Sequence, residues 1–98
     1  MPLTQTELRC DRLRSLHRRG APLLLPNAWD VATAKAVVEA GFPVVATTSL
    51  GVAEALGHED HEAPGDAMLA AAARIARAVD VPVTVDAGVG YGMEPAAL

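Results

Sequence analysis

The chain has 98 residues, of which 51% are hydrophobic and 20% charged, and its formal net charge is −4 at pH 7. This composition excludes a disordered chain, and the length allows one small domain. The negative charge argues against a nucleic-acid partner, the single cysteine excludes an internal disulfide framework, and no apolar run is long enough to span a bilayer. The polar N-terminus does not resemble a secretory signal, so a soluble cytoplasmic protein is the simplest interpretation.

The N-terminal segment predicts a helix over residues 5–19. Thr4 followed by Glu7 forms a capping box at its start, and Gly20 marks its end. The segment is rich in arginine without interleaved aromatic residues, which favours a solvated helix face over a phosphate or RNA patch. Cys10 lies on this helix and is interpreted as a half-buried packing residue rather than a nucleophile.

Three apolar runs predict strands at residues 22–27, 43–48 and 82–86. The first run contains three consecutive leucines, as in a strand that is buried on both faces. Predicted helices alternate with these strands, and the alternation indicates right-handed crossovers and a parallel sheet.

The helices between these strands have recognisable boundaries. Asp30 is placed to cap the first of them, which ends at Gly41. A short helix is predicted from Ser49 to Gly57. A longer one is predicted over residues 65–79, and the last residues, 93–98, resemble the opening of another. The buried face of the longer helix is predicted to consist of Met68, Ala72, Ile75 and Val79.

Polar residues follow all three predicted strands, at positions 27–30, 47–50 and 86–92. The carboxyl ends of parallel strands are where α/β folds place their functional sites. Thr48 and Ser49 open the short helix, where backbone N–H groups and hydroxyls can hold an anion, although ordinary N-capping is the alternative. Asp86 is compatible with a metal ligand, a base or a turn residue, and Trp29 with either the core or a pocket wall.

Two weaker signals lie in the loops. His58, Asp60 and His61 match no strong zinc pattern, so a mobile, solvated loop over residues 57–65 is favoured over a metal site. The turn GVGYG differs from the dinucleotide fingerprint GxGxxG and is a weak nucleotide-binding signal.

Three segments together resemble the isocitrate lyase and phosphoenolpyruvate mutase superfamily. They are PLLLPNAWDVATAKAVVEAGFPVVATTSLGVAEALG, DAMLAAAARIARAVDVPVTVDAG and GYG, and they extend over roughly residues 16–92. The resemblance is closest to the bacterial branch described as phosphonomutase-like or methylisocitrate-lyase-like. It implies an α/β fold made of the first three strand–helix units of a (β/α)₈ TIM-type barrel, preceded by an N-terminal helix, as one partial domain over residues 1–98.

The resemblance also implies a Mg²⁺-dependent carbon–carbon lyase or phosphonomutase-like enzyme. Such enzymes act on small carboxylates next to a 2-oxo group, through an enolate that Mg²⁺ stabilises. By the same resemblance, Thr48, Ser49 and Leu50 hold the acidic group of the substrate. Asp60 corresponds to the acid of a mobile gating loop, and Asp86 to the first acid of the metal-site motif.

The sequence departs from this family pattern in two ways. Gly88 stands where relatives carry the second acid of the metal motif, and 98 residues compare with about 250 in a full barrel. We therefore expect weak or absent Mg²⁺ binding, no turnover by this chain alone, and self-association through open sheet edges. The alternatives are a non-catalytic interaction module that pairs with another barrel subunit and, with less support, a small nucleotide-binding α/β protein.

Overall fold

The structure is a computed structural model that describes residues 3–94. Helices and short strands alternate along this part of the chain after an N-terminal helix. Their bounds are α1 Gln5–Leu16, β1 Asn27–Ala28, α2 Val31–Glu39, β2 Val45–Thr47, α3 Ser49–Ala55, α4 Gly65–Ala78 and β3 Val83–Thr84. None of the helices within residues 3–94 is both long and apolar enough to cross a bilayer. The helix predicted over residues 93–98 lies mostly outside the described residues.

The three strands form one parallel sheet in the order β1-β2-β3. Asn27 of β1 pairs with Ala46 of β2, and Val45 of β2 pairs with Val83 of β3. The predicted parallel pairing of neighbouring strands is therefore confirmed. Because all three strands run in the same direction, their carboxyl ends lie together at one edge of the sheet.

The first strand is shorter than predicted, and the prediction that its leucines are buried is wrong. Leu24 is 70% exposed and Leu25 is 43% exposed, and the strand begins only at Asn27. Pairing starts at the carbonyl of Pro26, which accepts a hydrogen bond from the N–H of Ala46 at 2.9 Å. Pro26 has no N–H to donate, and Pro22 likewise cannot extend the ladder, so the leucine run lies outside the sheet.

The helices that cover the sheet follow the predicted pattern closely. All four residues predicted for the buried face of α4 are buried. Asp30 caps α2 by accepting a hydrogen bond from the N–H of Thr33 at 2.8 Å. At the other end of α2, Gly41 and Phe42 donate to the carbonyls of Val38 and Val37, which is a Schellman motif.

Helix α1 starts as predicted but ends earlier and packs loosely. Its capping box between Thr4 and Glu7 is present, whereas the helix stops at Leu16 rather than residue 19. The chain then turns, and the N–H of Ala21 donates to the carbonyl of Arg18. No residue of α1 is buried, and Cys10 is exposed rather than half-buried, so that prediction is wrong.

The hydrophobic core lies between the sheet and the helices α2 and α4. Ile75 of α4 is 1% exposed, and Val45 of β2 is completely buried in the same cluster, which also contains Ala28 and Ala34. A second cluster joins α3 to α4 through Val52 and Met68. Small residues allow the helices to approach the sheet closely, and this packing fixes the strand ends relative to one another.

Ile75→Val tests the importance of this core. Removing one buried methylene should lower the free energy of unfolding by about 1 kcal/mol, because the transfer and cavity contributions add. Urea unfolding followed by circular dichroism measures the change. The matched variant Leu24→Val changes an exposed side chain and should leave the midpoint nearly unchanged. Equal effects of the two substitutions would contradict the assigned core.

The open edges of β1 and β3 generate a second prediction. Both strands pair on one side only within the described residues, and Leu24, Leu25 and Val85 expose apolar surface nearby. Unpaired edges with apolar neighbours promote association. We expect the 98-residue chain to self-associate in a concentration-dependent manner in sedimentation velocity. A monodisperse monomer with a sharp, cooperative thermal transition would contradict this expectation.

Candidate active site

The ends of β2 and β3 are joined by a buried hydroxyl. Thr47, the last residue of β2, is 6% exposed, and its Oγ1 accepts a hydrogen bond from the N–H of Asp86 at 3.1 Å. This bond links residues 39 positions apart in the sequence. It places Asp86 directly beside the start of α3, where Ser49 lies.

The carboxylate of Asp86 is held in a tight turn. Its Oδ1 accepts a hydrogen bond from the N–H of Gly88 at 2.9 Å. This bond is the largest cause that lowers the pKa of Asp86; burial opposes it as the second-largest effect, and the N–H and hydroxyl of Ser49 and the charge of His61 lower the pKa by smaller amounts. Asp86 is therefore ionised at neutral pH.

A small pocket adjoins Ser49 and is named here the Ser49 pocket. Its volume is about 120 Å³, and it is lined by Ser49, Asp60, His61, Met68, Gly88 and Tyr91 among others. Three of the sequence-derived positions, Ser49, Asp60 and Gly88, thus lie around one cavity although they come from three different segments. The proximity of Asp86 to Ser49 brings a fourth to the same place.

Asp60 reaches this pocket from the loop between α3 and α4. Its side chain is 32% exposed, and its Oδ2 lies 3.4 Å from Nε2 of His61. Its other oxygen, Oδ1, is buried and has no hydrogen-bond partner among the described residues. His61 adopts a φ of 66°, which is unusual for a residue other than glycine. Its backbone is therefore strained at this site.

Tyr91 forms the wall of the Ser49 pocket that faces α4. A Cβ added at Gly65 would lie 2.6 Å from the Cβ of Tyr91, so only glycine allows this contact with the first turn of α4. Burial raises the pKa of the Tyr91 hydroxyl, and the negative charge of Asp86 raises it further. The ring therefore closes the pocket as a neutral group.

The segment of Thr48, Ser49 and Leu50 is divided between two cavities. Thr48 and Leu50 line a wider cleft of about 740 Å³ on the other side of the segment, together with Trp29. We name it the Trp29 cleft. Thr48 precedes α3 without making a side-chain capping bond, so its hydroxyl is not occupied by the helix. The three residues predicted to bind the acidic group thus form a ridge between the two cavities.

The residues of this chain do not fit a Mg²⁺ site by themselves. Within residues 3–94 there is no group of three or more histidine, cysteine or acidic side chains that could hold a metal ion. One oxygen of Asp86 is already occupied by the N–H of Gly88, and position 88 carries no side chain. Mg²⁺ prefers octahedral oxygen coordination and usually keeps several waters, so Asp86 alone would leave the other positions to water, substrate or further acids.

Some residues of the site were not recognised from the sequence. The sequence predicts Thr47 only as part of a strand end, and nothing in its spacing indicates that it accepts a hydrogen bond from the N–H of Asp86. The sequence predicts His61 in a solvated loop, and its side chain is indeed 72% exposed, but it also lines the Ser49 pocket beside Asp60. The position of His61 directly after Asp60, the predicted gating-loop acid, is the sequence feature that could have indicated its place at the pocket.

A small parallel sheet flanked by helices, with acidic and hydroxyl groups gathered at the carboxyl ends of its strands, is the arrangement in which α/β folds place their functional sites. The family model for phosphoenolpyruvate phosphomutase matches residues 13–98. The chain therefore belongs to the phosphoenolpyruvate mutase family, and its predicted place in the isocitrate lyase and phosphoenolpyruvate mutase superfamily is confirmed.

Similar proteins support this membership. A provisionally assigned lyase/mutase from Burkholderia cenocepacia J2315 superposes with a TM-score of 0.86 at 35% identity, over 95% of this chain and 34% of that one. A provisionally assigned phosphonomutase from the same organism gives 0.83 at 45% identity, over 89% and 35%. Two uncharacterized proteins from the CDC 1551 / Oshkosh and H37Rv strains of Mycobacterium tuberculosis are 45% identical over 84 residues, 85% of this chain and 32% of theirs. The chain thus spans about a third of the length of its relatives.

The contact between Ser49 and Asp86 is testable by titration. Ser49→Ala removes the hydroxyl, so the pKa of Asp86 should rise toward its ordinary value while the N–H of Gly88 still keeps it below that value. Because a depressed pKa stabilises the folded state above the unfolded pKa, this stabilisation should be lost as the pH falls through the folded pKa. Carboxyl-carbon NMR measures the shift. Ser15→Ala, on the exposed face of α1, serves as control, and an equal shift in both variants would disprove the contact.

Proposed function

We propose that this chain forms the N-terminal portion of a Mg²⁺-dependent carbon–carbon lyase or phosphonomutase-like enzyme that acts on 2-oxo acids and related carboxylates through an enolate. In this proposal residues 48–50 bind the acidic group of the substrate, Asp60 acts at the reacting end, and Asp86 contributes one metal ligand. The single observation that supports it most directly is the convergence of Ser49, Asp60 and Gly88 on one pocket beside Asp86.

The chemistry of these side chains is suited to an oxyanion that forms during the reaction. The hydroxyl and N–H of Ser49 face Asp86, and a substrate carboxylate bound there would share these donors, whose position the packing of α3 fixes. Met68 and Tyr91 limit the access of water to the same pocket. Oδ1 of Asp60 has no hydrogen-bond partner among the described residues and is available to accept a hydrogen bond from the substrate.

The charges of these side chains do not favour binding of an anionic substrate by this chain alone. Asp60 lines the Ser49 pocket and Asp86 lies beside Ser49, while His61 is a basic side chain that also lines the pocket. A substrate carboxylate close to other carboxylates is repelled unless a cation lies between them. The chain therefore depends on further ligands and basic groups to complete the site.

Oxalate, a planar mimic of an enolate, tests the proposed carboxylate site. In the presence of Mg²⁺ it should shift the amide resonances of Ser49 and Gly88 of the ¹⁵N-labelled chain, with weak affinity. Ser49→Ala should weaken binding at least about tenfold, because a hydrogen bond to a charged group contributes roughly 1.5–3 kcal/mol. Ser15→Ala is the matched control. Unchanged resonances near residues 47–50 at saturating oxalate would contradict the proposal.

Metal binding and turnover form a separate prediction. Calorimetric titration of the 98-residue chain with Mg²⁺ should show weak binding or none, and assays with 2-oxo acids should show no turnover. Gly88→Asp should not restore activity. An added Cβ meets open space, but the φ of 56° at this position strains any other residue, and a single carboxylate leaves most of the barrel site missing. Saturable one-site binding of Mg²⁺ at micromolar concentration by the wild-type chain would disprove this reading of Gly88.

The open sheet edges favour a second candidate function, a non-catalytic module that pairs with another barrel subunit. The unpaired sides of β1 and β3 and the exposed Val85 support it. The two candidates differ in the effect of Asp60→Asn once the chain is combined with a polypeptide that supplies the later strands. A pairing module should retain assembly and any activity of its partner, whereas a catalytic portion should retain assembly and lose activity.

A further inference from the structure

We propose that Thr47 is a positioning residue of this site, whose hydroxyl fixes the loop of residues 86–92 against the segment of residues 48–50. This inference rests on the proposed function, because it treats that segment and Asp86 as parts of one active site. Thr47 is 6% exposed, and among the described residues it is the only polar one that is buried. A buried hydroxyl requires a hydrogen-bond partner, and here the loop supplies it.

The bond between Asp86 and Thr47 replaces the next step of the sheet. In the parallel pairing of β2 with β3, Ala46 lies opposite Thr84. Continuing this register by one step would direct the N–H of Asp86 to the backbone carbonyl of Thr47. The N–H donates instead to the side-chain Oγ1 of the same residue, at 3.1 Å. The hydroxyl thus takes the place of the carbonyl, the ladder ends at Thr84, and the chain leaves the sheet as a loop.

The hydroxyl has a fixed position because the strand that carries it is buried. Val44, Val45 and Ala46 precede Thr47 in the chain, and all three are buried. The side chain of threonine is also branched at Cβ, which restricts its rotation about χ1. An acceptor held in this way defines where the loop begins. Serine at position 47 would keep the acceptor, whereas valine would keep the shape and lose it.

The same short segment contacts both the main chain and the side chain of Asp86. Thr47 accepts from its N–H, and the N–H and hydroxyl of Ser49, two residues later, face its carboxylate. One bond sets the position of the backbone, and the other contact uses that position to bring the carboxylate to Ser49. Without the first bond, the second would depend on the loop alone.

The remainder of the loop is held by other contacts. The N–H of Gly90 donates to the carbonyl of Ala87 at 2.9 Å, within the loop itself. At its far end Tyr91 packs on Gly65, where an added Cβ would lie 2.6 Å from the Cβ of Tyr91. Loss of the Thr47 acceptor should therefore move the start of the loop and leave its far end and the core in place.

The free chain provides the first measurement, by hydrogen exchange. The amide of Asp86 lies two residues beyond the end of β3, yet it should exchange much more slowly than that of Val89, which is 94% exposed in the same loop. Thr47→Val should remove this protection, and Thr47→Ser should restore it. Equal protection of the Asp86 amide in Thr47→Val and in the wild-type chain overturns the inference.

Oxalate binding in the presence of Mg²⁺ provides the second measurement, followed by the amide shift of Ser49. Thr47→Val should weaken binding roughly two- to tenfold, as expected for the loss of one neutral hydrogen bond. Thr47→Ser should bind as the wild-type chain does, a rescue that a requirement for the shape of threonine alone would not give. The matched control is Thr84→Val, which removes a partly buried hydroxyl from β3. It should leave binding unchanged.

Circular dichroism verifies that each variant is folded. If Thr47→Val does not fold, Thr47→Ser and Thr47→Cys give the same comparison, because sulfur is a weak acceptor. Oxalate binding at Ser49 that Thr47→Val leaves unchanged, or that Thr84→Val weakens equally, overturns this inference and leaves the proposed function standing. No shift of Ser49 with oxalate in the wild-type chain overturns both.

Discussion

The parallel pairing of β2 with both of its neighbours is the constraint on which the site depends. Val45 is completely buried between the sheet and its helices, and Thr47, two residues later, reaches the strand end with its hydroxyl bonded to Asp86. The registers of the two strand pairs bring three unrelated loops to one edge. Without this arrangement, Ser49 and Asp86 would belong to separate surfaces, and neither could influence the other's chemistry.

The site that results is rich in negative charge and poor in positive charge. Oδ1 of Asp86 accepts a hydrogen bond from the N–H of Gly88. Oδ1 of Asp60 is buried and has no hydrogen-bond partner among the described residues. The buried oxygen of Asp60 is costly in isolation, because a buried polar atom without a hydrogen-bond partner loses its interaction with water. The chain that carries these features spans about a third of the length of its relatives.

Those features that depend on local pattern could be predicted from the sequence. The four buried positions of α4 follow from helical spacing, and the cap of α2 follows from Asp30. The first strand could not be placed correctly, because three consecutive leucines indicate burial without showing which residues find a pairing partner. The division of residues 48–50 between two cavities could not be predicted from the sequence either. It depends on how closely Trp29 packs on Gly51, and this distance has no signature in the spacing of residues.

Helix α1 is attached to the remainder of the molecule by a thin set of contacts. Arg9 donates from Nη1 to the carbonyl of Ala76 at 3.0 Å, in the last turn of α4, where backbone carbonyls lack helical partners. Nη2 of Arg9 lies 3.7 Å from Oδ1 of the exposed Asp80. No residue of α1 is buried. The first turns of the chain can therefore detach while the sheet stays intact. Native-state hydrogen exchange would then resolve two cooperative units, with the amides of α1 opening at a much smaller free energy than those of β2.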